Sequence, residues 1–254
     1  MKIYFLGTGT SQGIPVIGSD HPVCFSTDPK DKRLRVSVWI SWENASIVID
    51  CGPDFRQQML VATCPKVDAI LFTHEHSDHT AGLDDIRPFY FKQGAIPIYA
   101  HQRVLNNLKK RFDYIFETQN KYPGAPHVLT YEVKNNHPFT VGNKTIVPIN
   151  ASHANLQVFG YRIADFAYLT DVKTIASSEI EKLKNLKVLV VNCLRDEAHH
   201  SHFNLKEALD FITLVQPEKA FLTHISHTFG FHNEVQNRLP ENVFLAYDTL
   251  ELTL

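Results

Sequence analysis

Four side chains able to bind a metal stand close together in the segment AILFTHEHSDH: His74, His76, Asp78 and His79. Neutral imidazoles suit zinc, iron or manganese, and a carboxylate adds a harder oxygen donor that can bridge two ions. The group closes an apolar, strand-like run. Residues just past a buried strand lie on a loop at its C-terminal end, where side chains converge on a shared point. One segment supplies too few ligands for two metal sites, so others are expected after similar strands. His153 follows the apolar run TIVPIN, Asp171 follows AYLT and His224 follows AFLT. Any one of these alone reads as a satisfied polar residue at a strand end. The repetition of strand then ligand makes the seven groups together a binuclear site.

The elements that must position them are short. Runs rich in β-branched and aromatic residues recur from Lys2–Leu6 through Val36–Ser41, Ser46–Ile49, Ala69–Thr73 and Ile96–Tyr99 to Thr145–Ile149, Phe159–Ile163, Ala167–Thr170, Val188–Val191, Ala220–Thr223 and Val243–Tyr247. Their length suits strands better than helices. Helical periodicity covers Arg103–Phe116 and Leu205–Val215, the second with Asn204 and Glu207 spaced as a capping pair. The chain reads as α/β with strands predominating. Prolines, a glycine and an Asn pair make Lys121–His137 a turn-rich surface that can lean over a site. Without a linker or internal repeat, residues 1–254 are expected to form a single domain.

Composition narrows the function classes. The 254 residues carry 25 Lys and Arg against 27 Asp and Glu, with 14 His, 4 Cys and 44% hydrophobic residues. A net charge of -2 offers no basic footprint for nucleic acid and no strong attraction to a membrane. No stretch is long and apolar enough to span a bilayer, and MKIYFLGTGT is too short for a signal peptide. The expectation is a cytoplasmic protein that starts at Met1 and keeps its cysteines as free thiols. The local basic cluster Lys30–Arg35 is either a solvated loop or a rim that attracts phosphate. Gly7, Gly9 and Gly13 either let the backbone approach the metal pocket or make tight turns.

The hallmark HxHxDH, standing here as His74 to His79 and followed in order by His153, Asp171 and His224, resembles that of the metallo-β-lactamase fold superfamily. The opening LGTGTSQGIP, the HFNL at His202–Leu205 and the LTHISH at Leu222–His227 are similar to a subgroup that includes phosphoribosyl 1,2-cyclic phosphate phosphodiesterase. The resemblance implies a four-layer αββα sandwich with the site at one edge of two sheets. It places His74, His76 and His153 on a first divalent ion, Zn or Mn, and Asp78, His79 and His224 on a second, with Asp171 bridging them. Two such ions can hold a hydroxide between them and stabilise both attacking and leaving oxygens. In that subgroup a histidine matching His202 lies near the substrate phosphate and acts as general acid, work an imidazole of ordinary pKa can do. His202 also precedes the Asn204 cap, where a helix N-terminus favours an anion.

The same subgroup often holds a structural zinc with a CxCxxC element and a distal histidine. Here the element reads Ser19-Asp20-His21-Pro22-Val23-Cys24 and the distal residue is His227. Either His21, Cys24 and His227 still bind a third zinc with a substitute ligand, or hydrogen bonds hold the loop. Asp248-Thr249 replaces the subgroup's Asp-Gly. A lactamase proper often has a Cys ligand near the position of Asp171, which instead favours a bridged phosphodiesterase arrangement.

The expected function is a binuclear metal-dependent phosphodiesterase acting on a small or cyclic phosphodiester. The alternatives are a ribonuclease Z-like RNA-processing nuclease and a non-catalytic metal-binding module. The expected partner is a small-molecule phosphodiester, with neither membrane nor nucleic acid, and a homodimer is left open.

Overall fold

Apolar runs without polar alternation must be buried on both faces, and Val188-Leu189-Val190-Val191 shows what each face meets. Val188 and Val190 enter a core that also holds Phe5, Ile47, Ile49, Tyr161 and Tyr168. Leu189 and Val191 enter a second core with Ala208, Phe211, Ile212 and Val215. A third core collects Val48, Ile70 and Phe72 with Phe55, Met59, Val104 and Leu108. The first core lies between two sheets, and the other two lie between a sheet and its outer helices. The computed structural model describes every residue except Asn44.

One sheet contains β1 (Lys2–Gly7), β2 (Ser37–Trp42), β3 (Ala45–Ile49), β4 (Ala69–Leu71), β5 (Ile96–Ala100) and β6 (Val128–Glu132). The other contains β7 (Phe139–Val141), β8 (Lys144–His153), β9 (Leu156–Ile163), β10 (Phe166–Leu169), β11 (Thr174–Ile175), β12 (Val188–Asn192), β13 (Lys219–Thr223) and β14 (Val243–Leu245). The last strand, β15 (Glu251–Thr253), returns to the first sheet beside β1. The helices are α1 (Phe55–Ala62), α2 (Ser77–Thr80), α3 (Arg87–Gln93), α4 (Gln102–Arg111), α5 (Asp113–Phe116), α6 (Ser177–Glu181), α7 (Leu205–Val215) and α8 (His232–Gln236). Helix side chains such as Phe55 and Met59 cover one sheet, and Ala208 and Phe211 cover the other. The layers therefore run α, β, β, α, as expected.

Pairing direction decides where the site forms. β3, β4 and β5 are parallel, as are β10, β12, β13 and β14. Parallel strands bring their C-terminal ends to the same sheet edge, so the residues that follow β3, β4, β10, β12 and β13 are gathered there.

Three local expectations change. The helix expected over Arg103–Phe116 is two, because Phe112 leaves helical geometry at φ -126° and ψ 44°. The turn-rich stretch Lys121–His137 contains the edge strand β6, paired in parallel with β5. The basic cluster Lys30–Arg35 is no uniform rim, since Arg33 is buried. Its guanidinium donates to Thr8 Oγ1 at 2.7 Å and to the Ala246 carbonyl, and lies 3.1 Å from His232 Nδ1. Burial pushes the Arg33 pKa down to about 10, against the pull of Asp248 and Asp31. Thr249 takes φ 74°, the left-handed conformation that a glycine would adopt without strain. All four cysteines are free. Among the described residues, no helix is long and apolar enough to cross a membrane.

Candidate metal centre

Each arm of the site starts where a strand stops. Asp50, Asp171 and His224 follow β3, β10 and β13 directly or within two residues, and each has a left-handed backbone, with φ of 65°, 57° and 58°. Such residues are uncommon outside glycine and mark a chain forced to turn sharply. The segment bearing Asp78 and His79 packs against Gly52, where an added Cβ would sit 2.0 Å from the Asp78 carbonyl. The segment around Gly9 supports the opposite arm: Ile225 donates to the Thr8 carbonyl and Thr10 donates to the Ile225 carbonyl, next to His224. At Gly7 an added Cβ would meet the Arg35 carbonyl at 2.1 Å, so this glycine permits close backbone approach, though to Arg35 rather than to the metal pocket.

All seven proposed ligands come together. Ligand atoms converge within 4.8 Å in three groups: His74 with His76 and Asp171, Asp78 with His79 and His224, and His153 with Asp171 and His202. The carboxylate of Asp171 is common to two groups and touches the third, with Oδ1 3.3 Å from His79 Nε2 and 3.2 Å from His224 Nε2. Its Oδ2 lies 3.8 Å from His74 Nε2 and 4.0 Å from His153 Nε2. Asp78 Oδ2 is 3.2 Å from His79 Nε2 and 3.8 Å from His224 Nε2.

Three rings have their tautomers set from behind. His74 Nδ1 faces Thr73 Oγ1 at 3.0 Å while that hydroxyl donates to Asp50 Oδ2, so Nδ1 carries the hydrogen. His79 Nδ1 donates to Asp50 Oδ2 at 2.7 Å, and His153 Nδ1 to the Ser201 carbonyl at 2.8 Å. His74 and His153 then present a bare Nε2 to the interior, and His79 would do the same with a cation in place of its second ring proton, the arrangement that partners behind a ligand impose. His74 Nε2 meets His76 Nδ1 at 3.0 Å. His79 Nε2 and both ring nitrogens of His224 are buried without a hydrogen-bond partner. Orphaned imidazole nitrogens beside carboxylates fit divalent cations of the zinc or manganese type.

Charge is interdependent here. Burial opposes an ionised Asp171, yet His224 and His79 hold its pKa well below the usual range. Burial likewise opposes a charged His79, but Asp78, Asp171 and Asp50 raise its pKa well above that of an ordinary imidazole. Burial, reinforced by His79, depresses His74.

His202 reaches the same carboxylate, its Nε2 3.1 Å from Asp171 Oδ2. The loop that carries it is pinned on both sides: Phe203 donates to the Val172 carbonyl and Leu194 donates to the Phe203 carbonyl. Asn192 holds Val172 from the other side through both its amide atoms. Burial pushes the His202 pKa down to about 4, against the Asp171 hydrogen bond, so the ring departs from the ordinary imidazole value expected of it. The helix N-terminus is also already served. The Glu207 carboxylate accepts from the Asn204 N–H at 3.0 Å, and Asn204 Oδ1 accepts from the Glu207 N–H at 2.9 Å.

The second set behaves differently. His21 and His227 meet edge to face with ring centroids 5.4 Å apart, but His21, Cys24 and His227 are not among the groups whose ligand atoms converge. Cys24 Sγ accepts from the Val16 N–H at 3.4 Å, and His21 Nδ1 from the Val23 N–H at 3.4 Å. Hydrogen bonds tie His21 and Cys24 in this loop while His227 Nδ1 is buried without a hydrogen-bond partner, and the three donors are not converged as a tetrahedral zinc requires.

Asp50, which stands outside the histidine motif, serves His79, the Thr73 N–H and the Thr73 hydroxyl at once. It carries the signal used for the other arms, an acidic residue directly after the apolar run SIVI.

Comparison with known proteins places this geometry. A Porphyromonas gingivalis protein named octanoyltransferase is 42% identical over 253 residues, covering 99% of this chain and 51% of that protein. A Bacillus licheniformis ribonuclease Z is 27% identical over 198 residues, 73% of this chain and 58% of that protein. The chain thus spans little more than half the length of these curated relatives. A crystal structure described as a new diphosphatase from the PhnP family has 35% identity and a TM-score of 0.93, covering 100% of this chain and 97% of that one. The family model described as Beta-lactamase superfamily domain matches residues 45–225, a span that includes Asp50 and every residue of the primary site. The chain therefore belongs to the β-lactamase superfamily and has the metallo-β-lactamase fold.

Proposed function

We propose that this chain is a binuclear metal-dependent phosphodiesterase that hydrolyses a small or cyclic phosphodiester. The observation carrying it is the single carboxylate of Asp171, set between two histidine groups and also facing His202. His74, His76 and His153 would hold one ion, Asp78, His79 and His224 the other, and Asp171 both. When bound, a pair of zinc or manganese ions supplies an activated water at neutral pH and neutralises charge on a phosphate. Asp50, Thr73 and the Ser201 carbonyl keep three imidazoles in the ligating tautomer. His202 aims a neutral ring at the same place, where an Nε2–H can stabilise charge developing on a leaving oxygen. The similarity to a diphosphatase supports a phosphorus substrate. No role is given to metal at His21, Cys24 and His227. In this reading residues 1–254 act as one catalytic domain in the cytoplasm, a compartment consistent with four free thiols.

Turnover of bis-p-nitrophenyl phosphate, cyclic nucleotides and a diphosphate ester, measured beside a lactone and a thioester on zinc- or manganese-loaded protein, tests the reading. Hydrolysis confined to the lactone or thioester overturns it. Salt-dependent tRNA binding with 3′ cleavage would instead favour the ribonuclease Z relatives, although a net charge of -2 supplies little attraction for RNA. An active protein whose His76→Ala variant is inactive excludes a non-catalytic metal binder.

A further inference from the structure

Ser201 is buried beside two histidines and makes a contact with each that the function above does not use. Its hydroxyl lies 3.0 Å from His202 Nδ1 and 3.2 Å from His199 Nδ1. Its backbone N–H donates to His199 Nδ1 at 3.3 Å. The two Nδ1 atoms face each other at 3.1 Å. The Asp171 carboxylate favours one arrangement of hydrogens among these contacts. His202 Nε2 faces the Asp171 carboxylate, an acceptor, so the favoured tautomer carries its hydrogen on Nε2. His202 Nδ1 is then bare and needs a donor. His199 Nδ1 already accepts from the Ser201 N–H, which leaves the Ser201 hydroxyl.

We infer that Ser201 is a positioning residue, whose hydroxyl donates to His202 Nδ1 and so keeps an N–H on the Nε2 face that addresses the reacting phosphate. This rests on the phosphodiesterase reading for its consequence in catalysis, but not for the tautomer itself. His199 is the competitor in this arrangement. When the hydroxyl is removed, His202 Nδ1 loses its donor, and the ring can instead place its hydrogen on Nδ1 and share the His199 Nδ1 lone pair with the long contact from the residue-201 N–H, which turns a bare Nε2 toward Asp171 and the substrate. The carbonyl of the same residue orients His153, and a side-chain substitution leaves that backbone contact in place. One buried serine therefore sets two rings, one through its backbone and one through its side chain.

Long-range 1H–15N spectra of the imidazoles, recorded with and without zinc and with His202 assigned from a His202→Gln variant, read the tautomer directly. The wild type and Ser201→Thr are expected to show His202 as Nε2–H, and Ser201→Ala as mainly Nδ1–H. Adding His199→Phe to the alanine variant removes the competing acceptor and should return the hydrogen to Nε2. In kinetics, Ser201→Ala should raise the ratio of kcat on p-nitrophenyl esters to kcat on alkyl phosphodiesters by about 10-fold or more, because a poor leaving group depends most on a donor at its oxygen. Ser201→Thr should restore the ratio. Persistence of Nε2–H in Ser201→Ala overturns the inference, as does a loss of equal size on both substrate classes. If the wild type hydrolyses no phosphodiester, the function reading fails while the spectra still decide the role of Ser201.

Discussion

The two histidine-containing sites use similar residue types and arrive at opposite geometries. At the primary site, Asp50, Asp171 and His224 take left-handed backbones at the ends of buried strands, and His74, His79 and His153 are each held by a second partner. At the second, His21, Cys24 and His227 lie on a loop and 3-10 turns, where backbone N–H groups occupy the imidazole and thiol of the first two, His227 Nδ1 is buried without a partner, and the three donors do not converge. A preassembled metal site presents its donor atoms bare and converged before the ion arrives. Residue identity supplies neither; parallel strand ends supply convergence and the partners behind the rings supply bare nitrogens.

The sharpest way to break this comparison is at the carboxylate common to the primary groups. Asp171→Ala removes the acceptor facing His79, His202 and His224 together. Metal content should fall by at least one ion per chain, measured by plasma mass spectrometry after dialysis. Turnover should fall by about 10³-fold, the upper range for losing one transition-state stabiliser. Retention of both metal and activity would mean that convergence on Asp171 is incidental. The next largest effect is expected from Asp50→Ala. Asp50 is not placed among the ligands, so its loss tests the support behind the rings without removing a donor atom. Metal affinity should weaken about 10- to 100-fold in a competition titration. An unchanged affinity would leave convergence, without tautomer control, as the difference between the two sites.

Much of this was legible before the fold was known, for identifiable reasons. The strands were readable because Ser46–Ile49 and Val188–Val191 are apolar runs that only burial on two faces explains. The ligands were readable because His74, Asp171 and His224 repeat one pattern at strand ends. Asp50 carried the same pattern but stood outside the histidine motif. Arg33 looked like a surface charge because sequence shows only its neighbours Lys32 and Arg35, whereas its partners Thr8, Ala246 and His232 come from distant parts of the chain. Strand β6 was obscured because it is an edge strand with mostly exposed residues, so it lacks the apolar signature of a buried strand.

Gly52 tests whether backbone packing, rather than donor chemistry, separates the sites. An alanine there would drive its Cβ to within 2.0 Å of the Asp78 carbonyl, so the segment bearing Asp78 and His79 must shift. Gly52→Ala should cost about 1–3 kcal/mol and lower the thermal midpoint by roughly 2–10 °C. Metal affinity should fall with it, although no donor atom is removed. A variant that loses stability but keeps wild-type affinity would show that the ligand segment tolerates displacement.

The smallest effect belongs to the second site. If hydrogen bonding alone holds its loop, Cys24→Ala leaves the number of metal ions per chain unchanged. It removes one buried sulfur and the acceptor for the Val16 N–H, costing about 1 kcal/mol. His21→Ala should behave in the same way, since the lost acceptor for the Val23 N–H lies at a partly exposed turn. Native mass spectrometry of the wild type and both variants, with the primary site saturated, reads the count directly. Loss of one ion in both variants would show that His21, Cys24 and His227 converge on metal after all, and that bare, preassembled donors are not required of a site in this fold.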